Sequence, residues 1–470
     1  MNQFDIYSRM PVGIQNWLCS VKGAKLQKER YGGRFQEFFD KLVESDNWTA
    51  DQILAYKEEN IARMLDHAYN HSAFYKKFFD GHNVKPADFK ELADLQKFPV
   101  LTKEMVRANW KGMIADNFRL KDLMPSCTSG STGKALDFYL TPEQWKLYWA
   151  IVWRGRHRFG FELGDLHFSL TGKLVVPIDQ KEPPYWRYNK PLNQYMINLQ
   201  QLTPSKIHDI VDFINLKSPK VIGGYPSIIT TLSNLIVENN LHIDNPPKMI
   251  TLSSEKTYDM QRERIAVAFP GSYILEHYGS NETAISASMA SDNYYHEDFE
   301  LGHMELIDTT VKGNDTTGKV VGTSFHNYGM PFIRYLIGDT ATFSSEKGCI
   351  ASQVIKDIEG RHGDDIITPE GNRTQRFGYI FKHMDTIKEC QIVQNELGSI
   401  VIRIVKRPEY SIKTEQDLRA AVKQWISPTL KVNFEYVNEI PRTKAGKFKA
   451  VISNIHQNTN SQMFTPPPHL

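Results

Sequence analysis

Short apolar segments and amphipathic helical patterns alternate through the middle of the chain. Segments of strand length are LHFSL (166–170), VIGGY (221–225), MITLSS (249–254), YILEHYG (273–279) and GKVVGTSF (318–325). Patterns with helical spacing lie between them at SKIHDIVDFINL (205–216), SIITTLSNLIVENN (227–240) and DMQRERIAVAF (259–269). This alternation predicts an α/β domain in which helices cover a largely parallel sheet.

A long helix is predicted ahead of this region. Residues 49–80 begin with TADQ, which is typical of a capping box with Thr49 as the N-cap and Gln52 three residues on. Apolar residues then keep a helical spacing at Leu54, Ile61, Leu65 and Ala68.

The first 25 residues contain a second amphipathic pattern. Its apolar face is formed by Met10, Ile14, Trp17, Leu18 and Val21, and Lys22 and Lys25 follow it. We expect this face to pack on the protein's own core, with weak association with a membrane surface as the alternative.

The pattern changes after residue 360. GRHGDDIITPEGNR (360–373) is polar and rich in turn residues, and QIVQNELGSIVIRIVKRP (391–408) then predicts a hairpin. A helix (TEQDLRAAVKQWI), a strand (KVNFEYV) and a basic tail follow. We therefore predict a domain boundary near Asp364, with one domain at 1–363 and a second at 364–470.

Composition narrows the class of protein. The chain has 470 residues, 41% apolar and 23% charged, which is typical of a globular protein of more than one domain. The net charge of +2 and the absence of a long basic block argue against a nucleic-acid partner. No apolar run approaches the roughly 18 residues of a membrane span. The four scattered cysteines indicate a cytoplasmic protein without disulfides.

One short stretch, SCTSGSTGKAL (126–136), is dense in glycine, hydroxyl residues and lysine. A Walker loop needs four residues between its first glycine and GK, whereas only Ser131 and Thr132 separate Gly130 from Gly133. An apolar segment follows at once, which disfavours a linker. Two interpretations stay open: an anion-binding turn, and an ordinary structural turn.

Four later segments carry further candidate chemistry. They are EHYGSNET (276–283), IRYLIGDT (333–340), EGRHGDD (359–365) and PRTKAGKFK (441–449). Each charged residue in them has an ordinary alternative role, as a surface acid, a turn former or half of a salt bridge.

Together and in this order, the five motifs resemble those of the adenylate-forming superfamily. Within it the chain is most similar to phenylacetate–CoA ligases and especially to CapK-like proteins of capsule and surface-polysaccharide gene clusters. The resemblance implies a large N-terminal α/β domain of mixed sheets covered by helices, and a small mobile α+β C-terminal lid domain. It also implies ATP and Mg²⁺ as cofactors.

The resemblance implies a nucleotide site built from two of these motifs. A phosphate-binding loop would comprise Thr128, Ser129, Gly130, Ser131, Thr132, Gly133 and Lys134. In YGSNE (278–282), Tyr278 would lie against the adenine ring and Glu282 would bind Mg²⁺. Gly279, Ser280 and Asn281 complete this motif.

The remaining motifs are implied to contact the ribose and to drive the reaction. Asp339 would accept hydrogen bonds from the ribose hydroxyls, and Arg361 would assist there. Asp364 would be the hinge of the lid domain. Lys447 would be the catalytic lysine that meets the carboxylate and the α-phosphate.

Two further segments are assigned to the walls of the site. In SSE (253–255), Ser254 and Glu255 would lie at the adenine edge. Glycines after a strand permit close ligand approach, so GGYPS is a candidate for the acyl pocket through Gly224, Tyr225 and Pro226. The aromatic stretch KEPPYWRYNKPLNQY (181–195) has two open interpretations, a pocket wall or a surface loop.

This chain departs from the family pattern in several places. Ala135 follows the loop lysine where many relatives have proline, Asn281 stands where threonine is usual, and the arginine-to-hinge spacing is GRxxD. Some relatives carry zinc-binding cysteines near the segment SMASDNYYHEDFE (288–300), which has none here. His296, Glu297 and Asp298 do not replace them, so no structural zinc is expected.

The expected function is ATP-dependent activation of a small carboxylic acid as an acyl-adenylate, followed by transfer to a second substrate. The acceptor is an amine or a sugar nucleotide in surface-polysaccharide assembly; the alternative acceptor is CoA. A second alternative is a non-catalytic nucleotide-binding scaffold.

Overall fold

The computed structural model describes residues 3–128, 136–359, 366–369, 373–374, 386–442 and 448–455. Helices within these residues are α1 (Gln3–Ser8), α2 (Val12–Tyr31), α3 (Phe35–Ser45), α4 (Ala50–His71), α5 (Ala73–Gly81), α6 (Lys103–Met113), α7 (Pro142–His157), α8 (Ile207–Lys217), α9 (Pro226–Glu238), α10 (Asp259–Ala268) and α11 (Ile412–Trp425). Strands are β1 (Met124–Cys127), β2 (Asp137–Leu140), β3 (His167–Thr171), β4 (Arg187–Asn189), β5 (Gln194–Asn198), β6 (Val221–Gly224), β7 (Met249–Ser253), β8 (Tyr273–Gly279), β9 (Ser286–Met289), β10 (Tyr295–Glu297), β11 (Gly302–Lys312), β12 (Asp315–Ser324), β13 (Tyr335–Ser344), β14 (Val354–Glu359), β15 (Ile366–Ile367), β16 (Arg373–Thr374), β17 (Ile387–Glu396), β18 (Ser399–Lys406), β19 (Lys431–Tyr436) and β20 (Val451–Ser453).

A mixed sheet organises the larger part of the described chain. Its 12 strands have the order β11-β12-β13-β14-β10-β9-β8-β7-β6-β3-β5-β4. Strands β5, β3, β6, β7 and β8 run parallel, whereas β9 pairs antiparallel with β8. The prediction of a largely parallel sheet is therefore wrong beyond β8. The connection from Gly279 to Ser286 is too short for a helical crossover, so the chain returns as a hairpin.

Helices cover both faces of the parallel half, as an α/β fold requires. On one face α8, α9 and α10 bury Ile214, Leu232 and Ile265 against Ile222 and Ile250 of the sheet. On the other face α3 and α7 pack through residues of a second buried cluster, which includes Leu42, Ile151, Met249 and Leu275. The predicted fold class and the predicted elements of this region are confirmed.

The long helix near the N-terminus begins as predicted. Thr49 accepts the backbone N–H of Gln52, and the Gln52 side chain accepts the N–H of Thr49, which completes the capping box. Ile61, Leu65 and Ala68 are buried, but Leu54 is 42% exposed.

The apolar face of α2 differs from the expectation. Ile14, Trp17 and Val21 are exposed, and the most deeply buried positions of the helix are Gln15 and Gly23. The prediction that this face packs on the core is therefore wrong for these three residues. None of the helices in the described part of the chain combines the length and apolar character needed to cross a bilayer.

The C-terminal region forms a separate small sheet. Its described strands have the order β19-β18-β17-β20, with the predicted hairpin β17–β18 at the centre. Helix α11 covers this sheet through Leu418 and Val422. The arrangement confirms the predicted α+β character. The boundary predicted near Asp364 lies outside the described residues, so the division at 363/364 stays a prediction.

Candidate functional site

The predicted nucleotide residues gather where the sheet changes from parallel to antiparallel. Strand β8 pairs with β7 on one side and β9 on the other, so its carboxyl end lies at a reversal of strand order. Crevices at such points are the usual ligand sites of α/β sheets. The turn from Ser280 to Ile285 leaves this end, and it carries Glu282.

Two hydrogen bonds join the YGSNE motif to β13. The Tyr278 hydroxyl donates to Asp339 Oδ2 at 2.7 Å. The Tyr335 hydroxyl donates to Glu282 Oε1 at 3.0 Å. The structure thus brings Asp339 and Tyr335 of β13 to the YGSNE motif, although β13 is distant from that motif in the sequence. Sequence reasoning missed Tyr335, because it reads as an ordinary apolar strand residue.

Glu282 has the character of a metal ligand. Its side chain is fully buried, and Oε2 has no hydrogen-bond partner among the described residues. Ser280 Oγ is likewise buried without a partner in that part of the chain. Because leaving a buried carboxylate oxygen unpaired is costly, these atoms fit a bound cation and polar ligand.

The turn that holds Glu282 is fixed by its neighbours. Thr283 has a positive φ of 49°, which is unusual for a residue branched at Cβ. Buried Gln144 at the start of α7 donates to the Thr283 carbonyl at 2.6 Å and holds this conformation. Asn281 Nδ2 donates to the Cys127 carbonyl at 2.9 Å and ties the turn to β1.

The two ends of the predicted phosphate loop are paired. Thr128 donates its N–H to the Leu136 carbonyl at 2.9 Å, and its hydroxyl oxygen accepts the Leu136 N–H at 2.9 Å. Residues 129–135, which include the predicted contacts Ser129, Gly130, Ser131, Thr132, Gly133 and Lys134, lie outside the described residues.

Glu255 connects the two parts of the chain. Its carboxylate accepts the N–H of Ser227, at the start of α9, at 3.1 Å and the N–H of Phe448 at 2.7 Å. Burial raises the pKa of Glu255, against the lowering effect of these N–H groups. Ser254 beside it is exposed with a positive φ of 71°.

A second contact between the two parts is ionic. Arg407, after β18, donates to Asn234 Oδ1 at 2.9 Å and pairs with Glu238 Oε1 at 3.0 Å on α9. Phe448 directly follows Lys447 in the sequence. Lys447 itself, Arg361 and Asp364 lie outside the described residues.

A cavity of about 570 Å³ opens beside the nucleotide residues. Among the predicted residues, its wall includes Gly224, Ser254, Gly279, Ser280 and Asn281. A side chain at Gly224 would meet the Leu170 carbonyl oxygen at 2.7 Å, so the neighbouring strand requires glycine there. Tyr225 is the N-cap of α9 and Pro226 its first residue, and neither lines the cavity.

Another part of the wall comes from α2 and α7, and sequence reasoning missed it. We define the aromatic chamber as the part of the cavity lined by Arg30, Tyr31, Trp149, Trp153 and Arg156. The ring of Tyr31 stands edge-on to both tryptophans, with centroids 6.0 and 5.8 Å away. A stripe of cavity residues at spacings of three and four along α7 was the available signal: Trp145, Tyr148, Trp149, Val152, Trp153 and Arg156.

Part of the stretch 181–195 lines the cavity, as one interpretation predicted, and part of it does not. Pro191, Leu192 and Gln194 line the cavity. Trp186 instead stacks on Phe213 at a centroid distance of 3.5 Å, away from the cavity wall.

One cluster of possible metal ligands lies elsewhere in the described chain. Asp292, His296 and Cys349 each offer one ligand atom, and these three atoms lie within 4.8 Å of one another. Asp292 Oδ2 is 2.9 Å from His296 Nε2 and accepts the Cys349 N–H at 2.8 Å. Glu297 and Asp298 have structural roles instead, because Glu297 pairs with Lys57 at 2.5 Å and Asp298 with Arg154 at 2.8 Å.

Comparison with known proteins identifies relatives along the whole chain. A family model for the CapK C-terminal domain matches residues 366–454. The chain is 26% identical to protein CapK of Staphylococcus aureus over 96% of this chain and 99% of that protein. It is 24% identical to a phenylacetate-coenzyme A ligase of Aromatoleum evansii over 86% and 94%, respectively.

Solved structures give the fold. The crystal structure of a 2-hydroxyisobutyryl-CoA ligase in the postadenylation state, in complex with an acyl-AMP, has a TM-score of 0.66 at 17% identity. It covers 86% of this chain and 90% of the ligase. The resemblance to CapK and to phenylacetate–CoA ligases noted from the motifs is therefore confirmed, and the chain shares the fold of an acyl-CoA ligase.

Proposed function

Because the chain is homologous to CapK and to phenylacetate-coenzyme A ligases, we propose that it is an ATP-dependent ligase that activates a carboxylic acid as its acyl-adenylate. The observation that carries the proposal is the meeting of Tyr278, Glu282 and Asp339 around one sheet edge, with an unpaired Glu282 oxygen beside a cavity.

In the first half-reaction, a carboxylate oxygen of the acid attacks the α-phosphorus of ATP and pyrophosphate leaves. Asp339 would accept hydrogen bonds from the ribose hydroxyls. Tyr278 would position the adenine ring, and its hydrogen bond to Asp339 fixes its own place. Lys447 would neutralise charge that develops on the reacting oxygens. Mg²⁺, which Glu282 would hold, supplies positive charge against the phosphate oxygens.

In the second half-reaction, an acceptor attacks the acyl carbonyl carbon, AMP leaves with the bonding electron pair, and the acceptor loses its proton. We propose an amine or a sugar nucleotide as acceptor, in surface-polysaccharide assembly, as the likeness to CapK supports. The likeness to phenylacetate-coenzyme A ligases favours CoA as the alternative. We propose a cytoplasmic location, which is supported by the need for ATP and by the four free cysteines.

Exchange of label between pyrophosphate and ATP, dependent on an added acid, tests the first half-reaction. Glu282→Gln should lower the exchange rate by about 10²-fold, since it removes charge from the reacting centre. Glu263→Gln, an exposed change on α10, should leave the rate unchanged. Lys447→Ala should abolish exchange while ATP still binds.

The outcomes separate the candidates. If ATP binds but no acid of a broad panel supports exchange, the chain is a nucleotide-binding scaffold and the ligase proposal fails. If exchange occurs, chromatography of products formed with CoA, amines and sugar nucleotides identifies the acceptor.

We also propose that the protein holds no structural zinc. Elemental analysis of the purified protein should find less than about 0.1 zinc per chain. About one zinc per chain, lost in Cys349→Ser, would contradict this prediction and assign the metal to the cluster of Asp292, His296 and Cys349.

A further inference from the structure

The aromatic chamber has an unbalanced charge. Its wall carries two guanidinium groups, those of Arg30 and Arg156. The described lining includes one carboxylate, that of Glu276. It already pairs with Arg262 and accepts a hydrogen bond from the Tyr295 hydroxyl at 2.5 Å. The chamber therefore keeps two positive charges that no carboxylate of its described wall neutralises.

Both guanidinium groups rest on aromatic rings. The Arg30 carbon Cζ lies 3.9 Å from the centroid of Trp149, and that of Arg156 lies 5.1 Å from Trp153. Cation–π contact on a ring face leaves the N–H edge available for an anion. Arg30 Nε is buried and has no hydrogen-bond partner among the described residues.

The two arginines also oppose each other. Burial lowers the pKa of Arg156, and the nearby charge of Arg30 lowers it further. Such a pair is unfavourable in the empty cavity and becomes favourable when an anion lies between its members. Two histidines on the same wall add polar contacts without an opposing charge, and His277 Nε2 is buried without a described partner.

The chamber begins beside the Gly279 end of the cavity, where the ring of Trp149 lies 6.2 Å from that of Tyr148, and it continues along α7. A Cβ at Gly279, in the nucleotide motif, would be 3.1 Å from the Tyr148 hydroxyl. Arg156 is eight positions further along α7, which corresponds to about 12 Å along the helix axis. An acid whose reacting carboxylate lies near Gly279 and which follows α7 therefore passes Arg30, on Trp149, and extends its opposite end toward Arg156, on Trp153.

We propose that the acid activated by this protein carries a second anionic group, a carboxylate or a phosphate, which is bound between Arg30 and Arg156. The inference rests on the proposed function, because that function assigns the reacting carboxylate to the Gly279 end. The chamber then acts as the specificity site for the remote end of the acid.

Binding can be tested on the full chain without ATP. Trp149 and Trp153 line the chamber, so their fluorescence reports occupancy. The probes are two pairs of acids: terephthalate with its monomethyl ester, and adipate with its monomethyl ester. In at least one pair the diacid should bind at least about tenfold more tightly, as expected for charge-assisted hydrogen bonds. Equal binding of both members in both pairs, or binding of none, overturns the inference.

Variants assign the effect to the arginines. Arg156→Gln and Arg30→Gln should each remove most of the preference for the diacid and leave ester binding within about twofold. Arg156→Lys should retain part of it. Lys28→Gln, an exposed loss of the same charge on α2, should retain all of it. A preference that survives in both glutamine variants overturns the inference.

Two further comparisons separate the possible failures. The terephthalate analogue with a phosphonate in place of one carboxylate distinguishes a phosphate-bearing acid from a dicarboxylic acid by its relative affinity. A diacid that binds through Arg156 but supports no pyrophosphate exchange contradicts the ligase proposal and supports the anion site. Exchange supported equally by the esters contradicts the anion site and supports the ligase proposal.

Discussion

Arg154 and Arg156 lie two positions apart on α7, yet their surroundings are opposite. Arg154 is buried and pairs with Glu300 at 2.5 Å, Asp298 at 2.8 Å and Asp46 at 3.3 Å. Arg156 lines the aromatic chamber, with Trp153 beside it and Arg30 as its charged neighbour. Two positions on a helix differ by about 200° in direction, so one helix serves both regions.

The charge of Arg154 is neutralised within the fold, whereas we propose that the charge of Arg156 is neutralised by a bound ligand. Burial alone would lower the pKa of Arg154. The carboxylates of Glu300, Asp298 and Asp46 outweigh burial and raise this pKa above its ordinary value. For Arg156, burial and a like charge both lower the pKa. The first environment stabilises its arginine and the second does not, so replacing the two residues should have different consequences.

The largest expected effect is on Arg154. Arg154→Gln should lower the free energy of unfolding by about 3–5 kcal/mol, because it leaves buried carboxylates without their cation. Urea denaturation followed by circular dichroism measures the loss. A decrease below about 1 kcal/mol would show that the network contributes little and would break the comparison.

A pH effect of intermediate size is expected from His167, on the cavity wall. Burial, and next the charge of Arg156, lower its pKa from 6.5 to about 4. The unfolded chain therefore binds more protons between these values, so this contribution is complete above pH 6.5 and is lost as pH falls toward 4. We expect about 3 kcal/mol less stability at the acidic end.

Urea denaturation at both ends of this window tests the prediction. His167→Asn should show a smaller difference in stability between the two pH values than the wild type. Exposed His208→Asn should match the wild type. If His167→Asn retains the full difference, other groups cause it.

A smaller effect is expected from Arg158, at the edge of the Arg154 network. It makes two hydrogen bonds to Asp46, at 2.9 Å from Nε and 2.5 Å from Nη2, and is only partly buried. Arg158→Gln should cost about 1 kcal/mol, since solvent screens such a pair more strongly. A loss as large as that of Arg154→Gln would show that the network acts as one unit.

The smallest effect on stability is expected from Arg156. Arg156→Gln should change the free energy of unfolding by less than about 1 kcal/mol, because the lost cation–π contact is offset by relief of repulsion from Arg30. Thermal and urea unfolding of the Arg156→Gln and Arg154→Gln variants, compared with the wild type, measures the two changes in the free energy of unfolding. A loss above about 2 kcal/mol would mean that Arg156 is structural as well.

Much of the framework could be predicted from the sequence because its signals are local. The capping box at Thr49, the hairpin β17–β18 and the helices over the parallel strands follow from spacing within short windows. The alternation of strands and helices predicted only the parallel half of the sheet, and the mixed sheet was expected from the resemblance, since the register of the antiparallel half depends on pairing between distant strands.

The nucleotide residues could be proposed only as an ordered set of motifs. Nothing local predicts that Tyr278 donates to Asp339, or that Tyr335 contacts Glu282. The aromatic chamber was missed for the same reason. Arg30 lies in the last turn of α2, beyond the N-terminal pattern that the sequence predicts, and its contact with Trp149 is tertiary.

The contribution of α2 to the cavity bears on how such a protein acquires new substrates. The described residues that we propose to bind the nucleotide come from Thr128 onward, whereas Arg30 and Tyr31 come from α2, near the start of the chain. Mutations in that segment reach the bound acid without touching the groups that would handle ATP. Related proteins can therefore come to activate different acids while their ATP-binding residues stay the same.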